Sequence, residues 1–311
     1  MSIKSDVIYI YDGSYPGLLC CVYQAFARKE DPMLIWSFDQ EQPCLYPVRE
    51  IKTAPEQADR VQGGIHYKLG FAAERWVWDT WYSDLENRET AILDFLKFGF
   101  RQGPSVMGMS GHPMVAPVFA ASRALRNEAH LLTGFVRFSQ IGGVLVSTVQ
   151  PKNFVLPFLE SHFTERLPRE QFIIYDQTHH CALIYAHEKS KIVDMENLEL
   201  PAPTQKEQNW ACLWKQFYDT VEIQQRHNPR CQMTHIPKRY WSCVQELTDK
   251  PELLTHGKLP VSVQQALKAG ELRLSGENTA DAPAFLTPTQ ASTARALPID
   301  QPVPALSGET G

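Results

Sequence analysis

The chain opens on an apolar and aromatic run, Val7-Ile-Tyr-Ile-Tyr11, which reads as a buried strand. Asp12-Gly13-Ser14 follows as a turn whose serine can cap a helix from Tyr15 to about Arg28, with Asp12 placed at the strand's end either as a turn residue or as a group that does chemistry. Between Asp84 and Phe100 the apolar residues Leu85, Ile92, Leu93, Leu96 and Phe100 keep helical spacing, and Gly103-Pro104 supplies the stop. A further helix is predicted from Pro117 to about Leu132. The intervening Ser105-Val-Met-Gly-Met-Ser-Gly-His-Pro113 contains glycines but lacks the Gly-Lys-Ser/Thr of a phosphate loop, so it reads as a connection.

From Gly134 to Met195 the period changes. Phe135-Val-Arg-Phe138 and Val144-Leu-Val-Ser-Thr-Val149 suit strands, Val155, Leu156, Leu159, Phe163 and Leu167 suit a helix beginning near Asn153, and Phe172-Ile-Ile-Tyr175, Ala182-Leu-Ile-Tyr185 and Ile192-Val193 return to strand character. Short strands with tight connections favour an antiparallel sheet, because parallel neighbours need crossovers of about a dozen residues. The predicted class is therefore α+β: an antiparallel sheet with packed helices. From Gln205 to about Arg226, Trp210, Leu213, Trp214, Phe217, Tyr218 and Val221 form an amphipathic stripe that is expected to be core. Beside it, Lys215, Asp219, Glu222 and Arg226 can pair along the helix. After about Asp249 prolines alternate with Ala, Thr, Ser and Gly, a composition too thin in apolar area to offset ordering entropy. The expected organisation is one α+β domain over 1–248 and a mostly disordered tail over 249–311, in which only 261–269 has the makings of a short helix able to dock on a partner.

With 311 residues and 43% hydrophobic content, the chain can bury a large core. It contains no apolar run long enough to span a bilayer and no secretory leader, so a cytoplasmic protein with no membrane partner is expected. The seven cysteines form no Cys-x-x-Cys pair and are expected to be mostly reduced core residues, with no metal and no cofactor. A net charge of −5 argues against coating nucleic acid by bulk electrostatics. Any contact must be local, and between 206 and 239 six basic residues face three acidic ones.

Within that segment Arg226, Asn228, Gln232, Arg239, Tyr240 and Trp241 combine groups suited to phosphate contact, base-edge hydrogen bonding and stacking, with Lys215 as a further candidate contact; an ordinary helix end packed through Trp241 is the competing reading. His162 and Arg166, four apart on one helix face, suit a phosphate clamp, although a histidine near a helix C-terminus is also favoured by the dipole alone. Arg137 joins this set of candidate contacts. An enzyme reading gathers Glu128, His130, His162 and Asp176 into one pocket. Metal ligation by these histidines with His179 and His180 is disfavoured, since adjacent strand-turn residues point to opposite faces, and Gly-x-Ser-x-Gly is absent.

Tyr11-Asp-Gly-Ser14, Glu128-Ala-His130 with Gly134-Phe-Val-Arg-Phe138, Leu156-Pro157, His162-Phe163 with Arg166, Asp176, Leu213-Trp-Lys215, Arg226 with Asn228, and Pro237-Lys-Arg-Tyr-Trp241 occur in this order across about residues 7 to 247. The set resembles a bacterial family described as DNA metabolism or DNA repair proteins, itself a domain of unknown function. The resemblance implies a radical-SAM DNA-repair-like protein as companion, and related domains fused to a uracil-DNA-glycosylase-like module. Neither that module nor Cys-x-x-x-Cys-x-x-Cys occurs here, so the chain looks like the standalone form, with radical chemistry belonging to the partner. One departure is Gln177-Thr-His-His180, where the family's pattern leads one to expect arginines. The leading expectation is a nucleic-acid-binding accessory that holds DNA or a damaged base. The alternatives are an enzyme acting directly on DNA and an interaction adaptor whose tail docks a partner.

Overall fold

The computed structural model describes residues 5–38, 45–196, 198 and 204–247. The expectations for the tail, including the short helix over 261–269, lie outside the described residues.

Strand β1 (Ser5–Tyr11) is buried along most of its length, and the turn after it is fixed by side chains. Asp12 accepts from the Ser14 amide at 3.0 Å and from the Thr53 hydroxyl at 2.7 Å, while Ser14 Oγ accepts from Gly17 N at 3.0 Å and so caps helix α1 (Tyr15–Arg28). Gly17 is required by this packing. A Cβ there would lie 2.2 Å from Asp12 Oδ1 and 2.8 Å from both Thr53 Oγ1 and the Tyr11 ring. Gly17→Ala is expected to cost about 1–3 kcal/mol by overpacking, read as a lower urea midpoint.

Lys29, in the left-handed conformation, ends α1, and the chain returns as β2 (Pro32–Ser37), parallel to β1. Strand β3 (Val48–Glu50) lies on the other side of β1, also parallel, giving the order β2-β1-β3. This sheet corrects the expectation of an antiparallel sheet. The 14-residue α1 provides the very crossover that parallel neighbours need.

Four helices follow: α2 (Pro55–Leu69), α3 (Phe71–Trp81), α4 (Arg88–Gln102) and α5 (Ala116–Phe135), with a 3-10 turn at Gly103–Gly108. Helices α3 and α5 are pinned by buried Asp79, whose carboxylate takes a two-pronged contact from Arg126 at 2.7 and 2.8 Å and a hydrogen bond from Ser122 at 2.7 Å.

The second sheet runs β4 (Ser139–Ile141), β5 (Val144–Val149), β6 (Phe172–Asp176), β7 (Cys181–Ala186) and β8 (Lys189–Asp194) in that spatial order. It is antiparallel except between β5 and β6, where helix α6 (Leu156–Arg166) makes the crossover. Gly142 and Gly143, both at positive φ, form the two-residue turn joining β4 to β5. Alternation puts Phe172, Ile174, Leu183 and Tyr185 in a core with α5 and α6, and Ile173, Tyr175, Ala182 and Ile184 on the opposite face. The predicted strand over Phe135 to Phe138 is instead the end of α5 and an extended link, since the helix keeps its bonds one turn further.

Helix α7 (Gln205–Val221), helix α8 (Pro229–His235) and 3-10 turns at Lys238–Cys243 and Gln245–Leu247 complete the described chain. The predicted helix at 205 is present, but its stripe is not core: Trp210 is 59% and Phe217 55% exposed, and no residue of α7 is buried. A helical period shows that one face is apolar; it does not say what covers it. Among the described cysteines only Cys20 and Cys21 are buried, while Cys212 and Cys231 are exposed, which corrects their assignment as mostly core. Among the described residues no helix is long and apolar enough to cross a membrane.

Candidate nucleic-acid interface

The segment after α7 is fastened to the domain at two buried carboxylates. The first is Glu128 of α5, only 2% exposed. It accepts from the Lys152 amide at 3.0 Å, the Asn153 amide at 2.8 Å, the Asn153 side chain and the Tyr240 hydroxyl, both at 2.5 Å, with Arg239 Nη2 at 3.2 Å. Burial works to raise this carboxyl, but the bonds from Tyr240, Lys152 and Asn153 outweigh it and hold Glu128 below the usual carboxylate range. Tyr240 is fully buried, and the Arg239 guanidinium lies 4.6 Å from its ring centroid.

The second carboxylate is Glu246. Arg137 Nη2 donates to Oε1 at 2.7 Å and Arg137 Nε to Oε2 at 3.3 Å, while Trp214 Nε1 of α7 donates to Oε2 at 3.0 Å. Burial again acts upward, and the Arg137 and Trp214 bonds bring Glu246 below its ordinary value. Arg137 Nη1 also donates to Gly134 O at 2.7 Å, so this guanidinium is committed within the protein.

Over residues 206–230 the chain turns polar and aromatic side chains to solvent. Lys206, Trp210, Leu213, Trp214, Phe217, Arg226 and Arg230 are exposed. Lys215 is half-buried and engaged with a neighbour. Asn228 caps α8 by accepting from the Cys231 amide at 3.0 Å. Trp241 donates its indole N–H to Ile236 O at 2.9 Å, and Lys238 Nζ stands 5.9 Å from the Trp241 ring centroid. Arg226, Arg239 and Trp241 follow α7 in the same segment of chain, whereas Arg166 is exposed at the end of α6. One turn before it, His162 packs its ring edge-on to Phe163, with Nε2 buried and without a hydrogen bond.

Among the described residues no hydrogen bond or ion pair joins the four candidate catalytic residues to one another. Glu128 serves the Tyr240 and Asn153 contacts, and His130 is exposed on α5. Asp176, wholly buried, accepts from the Thr178 and His179 amides at 2.9 and 3.2 Å and meets His179 Nδ1 at 2.6 Å. His180 Nδ1 faces Glu196 O at 3.0 Å instead, so the two adjacent imidazoles have different partners. Among the described residues no group of three His, Cys, Asp or Glu side chains is placed to hold a metal.

Sequence reasoning missed Asn153, Tyr240 and Glu246 as organising residues. The Glu128–Tyr240 contact spans 112 positions, and such pairings leave no local period. In comparison with known proteins, a family model described as a domain of unknown function fits residues 86–246, which takes in both anchors. No curated protein and no solved structure matches the chain.

Proposed function

We propose, on the premise that the chain belongs to that family of unknown function, DUF4130, that it is an accessory protein of DNA metabolism which holds single-stranded nucleic acid on the face running from α7 to Trp241. The observation that carries this reading is the exposure of Trp210, Trp214 and Phe217 on α7, together with that of Lys206, Arg226, Arg230 and Lys238 in the same segment of chain. Aromatic faces stack bases of any sequence and cations track the backbone, which is the recurring chemistry of single-strand binding. A net charge of −5 is compatible with it because the cations are local. On the resemblance drawn from the sequence, the partner that performs the chemistry is a radical-SAM DNA-repair-like protein in the cytoplasm.

Binding of labelled single- and double-stranded DNA across a salt series tests this. Arg226→Gln/Arg230→Gln is expected to flatten the slope of log affinity against log salt by about 1.4, two phosphate contacts on a single strand. Absence of affinity at low salt, or an unchanged slope, overturns the proposal.

A second reading, direct catalysis, is favoured by the Asp176–His179 contact. A buried carboxylate on Nδ1 fixes the ring and leaves Nε2 as the nitrogen able to take a proton. Conversion of a labelled strand by the isolated protein, lost in His179→Gln, is what this reading requires; no conversion under any partner-free condition removes it.

A further inference from the structure

At the carboxyl end of β2 lies an open pocket of about 470 Å³ that the nucleic-acid face does not use. Trp36 forms one wall, and Ser83 to Glu89, the approach to α4, forms the rest. Ligands of parallel α/β sheets collect outside the carboxyl ends of the strands, and this volume lies within the usual range for small-molecule sites.

The rim is held by several bonds. Ser83 Oγ donates to Thr80 O at 2.6 Å, the Asp84 amide donates to Asn153 Oδ1 at 3.1 Å, and Arg88 Nη1 donates to Ser83 O at 3.0 Å. Glu89 sits in the lining although it is only 2% exposed. Its Oε1 takes Arg88 Nε at 3.1 Å and the Tyr11 hydroxyl at 3.3 Å, while Oε2 receives no hydrogen bond among the described residues. Burial, and then the neighbouring Glu89 charge, push the Tyr11 phenol above its ordinary value, so it stays a donor.

A desolvated carboxylate with one oxygen unfilled calls for N–H donors. The charge around it disfavours an anion: Asp84, Glu86 and Glu89 line the pocket against Arg88 alone, whose Nε and Nη1 are engaged by Glu89 and Ser83. Trp36 offers a flat apolar face against which a heterocycle can stack.

We infer that this pocket binds an uncharged purine base or nucleoside presenting adjacent N–H donors, of the guanine type, with its ring against Trp36 and its donor edge on Glu89 Oε2. The guanine edge offers N1–H and the 2-amino group side by side. Inosine lacks the amino group, and adenine sets an acceptor, N1, against the carboxylate. The 5′-phosphate of a nucleotide would meet the acidic rim, so the nucleoside binds better than its monophosphate.

Calorimetric titration of the full chain with guanosine, inosine, adenosine, guanosine monophosphate and agmatine tests the assignment. Guanosine is expected to saturate, with inosine weaker by about tenfold, adenosine weaker still, and Glu89→Gln reducing guanosine affinity by at least about tenfold, as expected for a hydrogen bond to a charged group. Trp36→Leu keeps the pocket's carboxylate and removes only the stacking face. It should also weaken guanosine binding, which maintains the test if Glu89→Gln fails to fold. Single-strand binding on the α7 face should survive both substitutions, so failure here is separable from failure there. No saturation by guanosine at millimolar concentration, tighter binding of agmatine than of any nucleoside, or unchanged affinity in both variants overturns the inference.

Discussion

Replacing Glu128 by alanine is expected to lower the unfolding free energy by about 3 kcal/mol, because it strands buried donors and an arginine that all depend on one carboxylate. The Lys152 and Asn153 amides, the Asn153 side chain and the Tyr240 hydroxyl would lose their acceptor together, and Arg239 would lose its ion pair. The loss extends past the site of substitution, since Asn153 also receives the Asp84 amide and Tyr240 is the buried residue of the Lys238–Cys243 turn. Chemical denaturation gives the size of the effect, and tryptophan fluorescence reports whether Trp241 leaves its place.

The same carboxylate gives the stability a dependence on acid. The folded-state pKa of Glu128 is depressed, so its contribution is fully present above the ordinary glutamate value, near about 4.3, and is lost as pH falls through the lower folded value. Glu246 acts in the same direction. The stability difference between the native chain and Glu128→Gln should therefore be largest at neutral pH and shrink as the solution is acidified below about 4. A difference constant from pH 7 to pH 3 would show that the charge contributes nothing.

Trp210→Ala/Phe217→Ala is expected to weaken single-strand binding by about thirtyfold or more, since each stacked base contributes about 1–3 kcal/mol. Fold stability should hardly change, because both side chains are more than half exposed and surface truncations cost within about 0.5 kcal/mol. That separation of effects is diagnostic. If the stripe instead docks another protein, the double variant binds DNA as the native chain does and loses only its association with that protein.

The elements legible in the sequence are those whose period is clean and whose surroundings are implied by it. The run Val7 to Tyr11, the helix after Ser14, and the strands at 144–149, 172–176 and 181–186 follow from short apolar runs between turn signals and from capping alone. Helix α3 is apolar or aromatic on much of its surface, with Ala73, Val77, Trp78 and Trp81 all buried, which blurs its period. Helix α2 carries only the narrow stripe Ala58, Val61, Ile65 and Leu69 in a polar background. The parallel sheet was hidden because β3 is three residues long and pairs with a strand some forty positions earlier. At the candidate interface, composition singled out residues 206–241 but not the duties of its members. Arg137 and Asn228 serve Glu246 and the α8 cap, and it is the aromatic stripe, taken as core from its period, that faces solvent.

Photo-crosslinking a single strand that carries 5-iodouridine, then mapping the modified peptides, examines the central claim with the intact chain. The α7 face predicts adducts at Trp210, Trp214 or Phe217, or further along at Trp241, and their loss in Trp210→Ala/Phe217→Ala. Adducts confined to the two sheets or to α6, with none between 205 and 241, would contradict it.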